Sequence, residues 1–185
     1  MDNILENFKV GVWGNKAPKN KMWNKWVHRN LSDNHCSECL MLDGCWFEKE
    51  KTPKHPHHLF CHCALDNLPY SDVLNNATAQ SAYSKYDPYL FDTNGEYGHG
   101  KDELFKSLGF SVEDSEYLKS EIEKQGLEKY ISGEYILGKL NDKGQRISIT
   151  IGIERKDKNG VATFESGWMV YPNGNIKLTT PYGGK

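Results

Sequence analysis

No stretch of this chain approaches the ~20 consecutive apolar residues of a membrane-spanning helix, and no apolar leader follows Met1, so neither an anchor nor an export signal is expected. Long runs of lysine or arginine are also missing, and the formal net charge is only −2. Bulk attraction to nucleic acid is therefore excluded, and any contact with RNA has to come from a local site. Cysteine is scarce and odd in number, five in all. An odd set cannot pair completely, and without an export signal disulfides are not expected. What is left, 185 residues at 37% hydrophobic and 26% charged, is ordinary globular composition, enough for one medium domain or two small ones.

The few cysteines are concentrated. All five lie between Cys36 and Cys63, and six of the seven histidines lie in or near that run. Cys36 and Cys39 make a C-x-x-C pair, His58 and Cys61 an H-x-x-C pair, and Cys63 follows. Two ligands separated by two residues can face one ion from a tight turn, and thiolate with imidazole selects zinc over hard cations. The expected set is Cys36, Cys39 and His58, completed by either Cys61 or Cys63. His55, His57 and His62 read as bystanders. Cys45, between Gly44 and Trp46, reads as a buried thiol. Four such ligands leave no open position, so this zinc would be structural rather than catalytic.

The chain divides by pattern into a module at residues 1–66, a connection at 67–85 and a module at 86–185. The first is rich in Trp, His, Cys and Lys, with a core too thin to stand without metal. Within it, Lys21–Arg29 predicts a short helix carrying Met22, Trp26 and Trp23 on one side. The connection is small and polar. In the last module, Lys101–Leu108 predicts a helix stopped by Gly109, and the S-x-x-D pattern of Ser111 and Asp114 opens a longer one to about Tyr130. After Gly133 the period turns to two: Tyr135 and Leu137, then Ile147, Ile149, Ile151 and Ile153, alternate with polar or small residues. Turn residues at Asn141–Gly144, Lys158–Gly160 and Pro172–Gly174 punctuate the strands. The expected class is α+β: a small zinc-stabilised N-terminal module, then two helices packed on a four-stranded antiparallel meander.

Two resemblances rest on these residues. Trp26, Asp33, Cys36, Cys39, Leu42, Gly44, His58, Cys61 and Cys63 occupy the places of a pattern found at the cysteine-rich end of phage Mu-type head morphogenesis proteins, which this third of the chain resembles. His62 stands where that family has Arg, and Leu59 where it has Pro. Tyr89, Leu90, His99, Lys101, Phe105, Leu108, Gly109, Phe110 and Ser111, with the ending IKLTTPYG, are similar to a toxin domain grouped with the barnase, EndoU, colicin and RelE type of ribonuclease fold. Gly100 follows His99 where that family often has Pro. The resemblance implies metal-independent cleavage of cellular RNA, tRNA included, by a toxin associated with a phage head. It implies phage head or portal proteins and an immunity protein as partners, and a virion or a bacterial cytoplasm as location.

RNA cleavage of that kind needs a group to take the 2′-hydroxyl proton, one to protonate the leaving oxygen and a cation for the phosphorane charge. His99 stands in a glycine-rich loop before a helix, with Lys101 two residues on. These, with Thr180 and Tyr182 near the end, are the candidate catalytic residues; Arg146 and Arg155 are candidate RNA contacts. The bland readings are a loop histidine, a solvated lysine and strand-forming threonines. Two non-enzymatic functions fit the same residues: a virion structural, head-morphogenesis or cargo protein, and a zinc-stabilised binding adaptor.

Overall fold

The computed structural model describes residues 21–29, 36–69, 74–97 and 100–182. It is a mixed α/β structure with two sheets. Strands β1 (Met22–Val27), β2 (Trp46–Glu48) and β3 (Ala64–Pro69) make an antiparallel sheet in the order β2-β1-β3. Strands β4 (Ala79–Gln80), β5 (Ile136–Asn141), β6 (Gly144–Glu154), β7 (Val161–Tyr171) and β8 (Asn175–Thr180) make the second, in the order β4-β8-β7-β6-β5. The helices are α1 (Ser37–Leu42), α2 (Lys101–Ser107) and α3 (Ser115–Ile131). Among the described residues no helix is long and apolar enough to cross a membrane.

The segment 21–29 corrects one expectation: it contains a strand, not a helix. Side chains alternate across a strand, so Trp23 and Trp26, three apart, take opposite sides. Trp23 meets the ring of Tyr130 edge-on at 5.6 Å, and Trp26 meets His55 at 5.2 Å. A central strand covered on both sides rewards aromatic bulk, which overrides the helical spacing of Met22 and Trp26. Asn24, buried in the middle of this strand, donates to Thr52 Oγ1 at 2.9 Å and accepts from Asn67 Nδ2 at 2.8 Å, so its burial leaves no polar atom stranded.

The expected meander also needs correcting. β5 to β8 run antiparallel in sequence, but the sheet has five strands because β4 adds in parallel beside β8, Ala79 against Ile176 and Gln80 against Lys177. Two residues of pairing are too few to leave a periodic signature in the polar stretch 67–85, which also holds the end of β3. Past Gln80, Lys85 Nζ donates to the carbonyl of Thr179 at 3.0 Å, placing an ammonium on the rim of β8.

The alternating isoleucines of β6 bury Ile147, Ile149, Ile151 and Ile153 beneath α3, whose Leu118 and Ile122 are fully buried. At its start, the Asp114 carboxylate accepts from Ser111 N at 2.9 Å, the expected capping pattern. The two sheets share one apolar core, which contains Trp23, Phe47, Tyr130 and Trp168 together.

Gly126 marks the tightest contact of α3. A Cβ there would stand 2.4 Å from Trp168 Cζ2. Alanine is the better helix former by about 1 kcal/mol, but overpacking against a buried indole costs roughly 1–3 kcal/mol. Gly126→Ala is therefore expected to lower the urea midpoint of unfolding, with little change in slope; a raised midpoint would show that Trp168 moves aside freely.

Candidate functional site

Two chemical clusters stand out. The first is built by two turns. Cys36 precedes α1 and accepts from Leu40 N through its carbonyl at 3.0 Å, which sets Cys39 one helical turn away. On the facing loop the His58 carbonyl accepts from Cys61 N at 3.2 Å, and Cys63 leads into β3. The ligand atoms of Cys36, Cys39 and His58 all lie within 4.8 Å of one another, and so do those of Cys39, Cys61 and Cys63. Cys39 Sγ is 3.4 Å from His58 Nε2 and 3.8 Å from Cys61 Sγ. With metal–sulfur bonds of ~2.3 Å, two corners of a tetrahedral site stand about 3.8 Å apart. These residues fit a metal ion.

The surroundings fit as well. His58 Nδ1 lies 2.7 Å from the carbonyl of Leu59. A proton on Nδ1 makes that hydrogen bond and leaves the Nε2 lone pair for the ion, the usual orientation of a ligating imidazole. Burial pushes the Cys39 thiol well up, and the neighbouring Cys63 and Cys61 add to it. Burial also raises Cys63, although the Trp26 indole favours its thiolate. Cys61 goes the other way: burial opposes its thiolate, but donors from the Cys63 and His57 backbone and from the Cys63 and Cys39 thiols outweigh that. Sulfurs this close accommodate one negative charge at the expense of the others until a divalent cation joins them. Of the expected bystanders, His57 pairs with Glu38 and makes with it and Cys36 a third group whose ligand atoms lie within 4.8 Å of one another, His55 Nε2 lies 3.0 Å from the Cys63 carbonyl, and His62 is exposed. Cys45 is fully buried, and desolvation followed by Asp43 pushes its thiol up to about 12.

The second cluster joins the start of α2 to the end of β8. Lys101 Nζ donates to Tyr89 Oη at 2.8 Å and to Thr180 Oγ1 at 3.1 Å. Thr180 Oγ1 in turn donates to the Tyr182 carbonyl at 2.9 Å. Lys101 Nζ lies 4.9 Å from the Tyr89 ring centroid and Lys85 Nζ 5.5 Å, while Tyr97 packs edge-on at 5.1 Å. Burial opposes the Tyr89 phenolate, but the Lys101 hydrogen bond and charge, then Thr180 and Lys85, outweigh it and hold the phenol below its ordinary value. Tyr130, buried without a cation beside it, is pushed well above.

A bulge delivers Thr180 to this place. Gly167 pairs with Thr180 and Trp168 with Leu178, so β8 spends one extra residue there. A Cβ on Gly167 would meet Thr179 Oγ1 and Thr180 Cγ2, each at 3.0 Å. A side chain there would push both threonines by a few tenths of an ångström.

Lys101 and Thr180, expected from sequence, are thus brought together, but Thr180 accepts from Lys101 and spends its own proton on Tyr182. The Tyr182 ring packs edge-on against Phe105 at 6.5 Å and Phe164 at 6.4 Å. Arg155 is not part of the cluster: it grips Asp157 at 2.7 Å and reaches the Ser107 carbonyl, at the other end of α2 from Lys101. Arg146 is exposed on β6, two strands from β8. His99 and Asp33 lie outside the described residues. Tyr89 and Lys85 were missed as functional candidates. Tyr89 had a signal, its place in the toxin-like pattern; Lys85 had none, because its position depends on the parallel strand before it.

Residues 74–185, more than half of the chain, match a family model described as a domain of unknown function (DUF6883), and the chain belongs to that family. The match takes in Lys85, Tyr89, Lys101, Thr180 and Tyr182 and leaves the cysteine cluster outside it. No curated protein and no solved structure matches.

Cys39 belongs to two of the three ligand groups, the two that hold the expected zinc ligands, so Cys39→Ser is expected to abolish metal retention, whereas Cys45→Ser should keep the full complement. Metal analysis by mass spectrometry on the purified chain, with thiol titration before and after chelation, checks this. Equal metal content in Cys39→Ser and the unsubstituted protein would rule out these ligands.

Proposed function

We propose that this member of the DUF6883 family is a metal-independent endoribonuclease acting on cellular RNA, its N-terminal part held by a structural zinc. The observation that carries the reading is the Lys101 ammonium fixed between Tyr89 Oη and Thr180 Oγ1 at the start of α2. An ammonium presented by fixed acceptors suits the charge that develops on a phosphorane, because no reorganisation is needed as the charge appears. Thr180 positions Lys101, and the Tyr182 carbonyl fixes the Thr180 hydroxyl in turn. His99 supplies proton transfer near neutral pH. Arg146 offers a phosphate contact from β6, two strands from β8, and Arg155 a weaker one because Asp157 already engages it.

For the zinc, Cys36, Cys39 and His58 provide three ligands and Cys61 or Cys63 the fourth. The proposal extends to what the resemblances imply: a toxin of a phage head, with head or portal proteins and an immunity protein as partners, in a virion or a bacterial cytoplasm. A second reading, the zinc-stabilised adaptor, draws on Leu59 and Phe60, which are each 81% exposed on the zinc loop. Leucine and phenylalanine so open to water suit a docking surface.

The test is RNA cleavage by the full chain in magnesium-free buffer, together with growth after expression in bacteria. Cleavage and growth arrest are expected. Lys101→Ala should slow cleavage by about 10²–10³-fold, and His99→Ala by ~10²–10⁴-fold. Intact total RNA and tRNA at high protein concentration, with unimpaired growth, would favour the adaptor or the virion structural or cargo reading.

A further inference from the structure

We propose that Tyr89 is the general base of this site, taking the proton of the RNA 2′-hydroxyl. The assignment rests on the ribonuclease reading above and adds to it a residue that neither composition nor spacing singled out. Its hydroxyl oxygen faces the Lys101 ammonium at 2.8 Å, and the Lys85 ammonium stands over the same ring at 5.5 Å. Two cations on one phenol favour the anionic form of that oxygen and also hold a phosphodiester beside it. Burial alone would have done the opposite, as it does at Tyr130 and at Tyr86, which is 0% exposed and bonded to Ser81. The ring cannot swing away, since Tyr97 packs edge-on and Lys101 is itself tied to Thr180.

The step balances without any added reagent. The 2′-hydroxyl gives its proton to the Tyr89 phenolate as its oxygen bonds to phosphorus. The bond from phosphorus to the 5′-oxygen then breaks, and that oxygen takes up a proton from solvent water. The products are a 2′,3′-cyclic phosphate and a 5′-hydroxyl, and Lys101 neutralises the phosphorane between them. Among the described residues, the cations that favour the phenolate are Lys101 from α2 and Lys85 from the segment after β4, with Thr180 as a neutral neighbour from β8. A phenolate base gains population as pH rises, so Tyr89 should contribute a limb of increasing rate on the alkaline side.

The test compares the full chain with Tyr89→Phe and Lys101→Met on two substrates: a dinucleotide, and a uridine 3′-phosphate ester with a nitrophenolate leaving group that needs no protonation. Phenylalanine keeps the ring and removes only the oxygen. Tyr89→Phe should lose ~10²-fold or more in kcat/KM on both substrates and lose the rising limb. Ultraviolet titration of tyrosine ionisation gives a readout apart from turnover: the earliest-ionising phenol should vanish in Tyr89→Phe and move to higher pH in Lys101→Met. Tyr89→Phe that cuts both substrates at the full rate with an unchanged pH profile overturns the assignment and leaves the ribonuclease reading standing. A full chain that cuts neither RNA nor the ester, even with the early phenol present, overturns the reading and this role with it.

Discussion

Tyr130 joins the two sheets, and the placement of both clusters depends on that junction. Its side chain is fully buried, its hydroxyl donates to the Trp46 carbonyl at 2.6 Å, and its ring meets Trp23 and Tyr135, each at 5.6 Å. Burial keeps the phenol protonated, which is what makes it a dependable donor. Tyr135 repeats the device, its hydroxyl accepting from Glu48 N at 2.9 Å. Both tyrosines come from the end of α3 and the turn after it, and both reach β2 of the smaller sheet. The cysteine turns are carried on that sheet and the lysine cluster on the larger one, so one aromatic seam holds the frame of each.

The same residue type does opposite work at the two places. Tyr130 is buried, with the Tyr135 phenol and the Cys45 thiol near it opposing its anion as well, and stays neutral. Tyr89 has two ammoniums and a hydroxyl around it and is drawn toward the anion. Neither behaviour belongs to tyrosine as such. Each follows from which charges the fold puts within hydrogen-bonding range, and the bulge of β8 at Gly167 decides that for Tyr89 by setting where Thr180 holds Lys101.

What was legible in the sequence was local. The isoleucine alternation of β6, the capping pattern at Ser111 and Asp114 and the turns at Gly144, Gly160 and Gly174 are each written within a few residues, and each has its counterpart in the structure. The C-x-x-C and H-x-x-C spacings were equally local, and their side chains do converge. What escaped depended on partners distant in the chain. The strand of Trp23 and Trp26 is a strand because sheet partners lie on either side of it. β4 exists through two residues of pairing with a strand nearly a hundred positions later. Lys85 points at Tyr89 only because that strand is there.

The central claim is that the lysine–tyrosine cluster serves phosphodiester chemistry on RNA. The most direct measurement is the chemistry of the new ends, read by mass spectrometry after the full chain is incubated with a defined RNA in magnesium-free buffer. In-line attack by the 2′-oxygen predicts fragments ending in a 2′,3′-cyclic phosphate opposite fragments beginning with a 5′-hydroxyl, and no cleavage at a position carrying a 2′-deoxy sugar. Fragments beginning with a 5′-phosphate, or equal cleavage at the deoxy position, would contradict it.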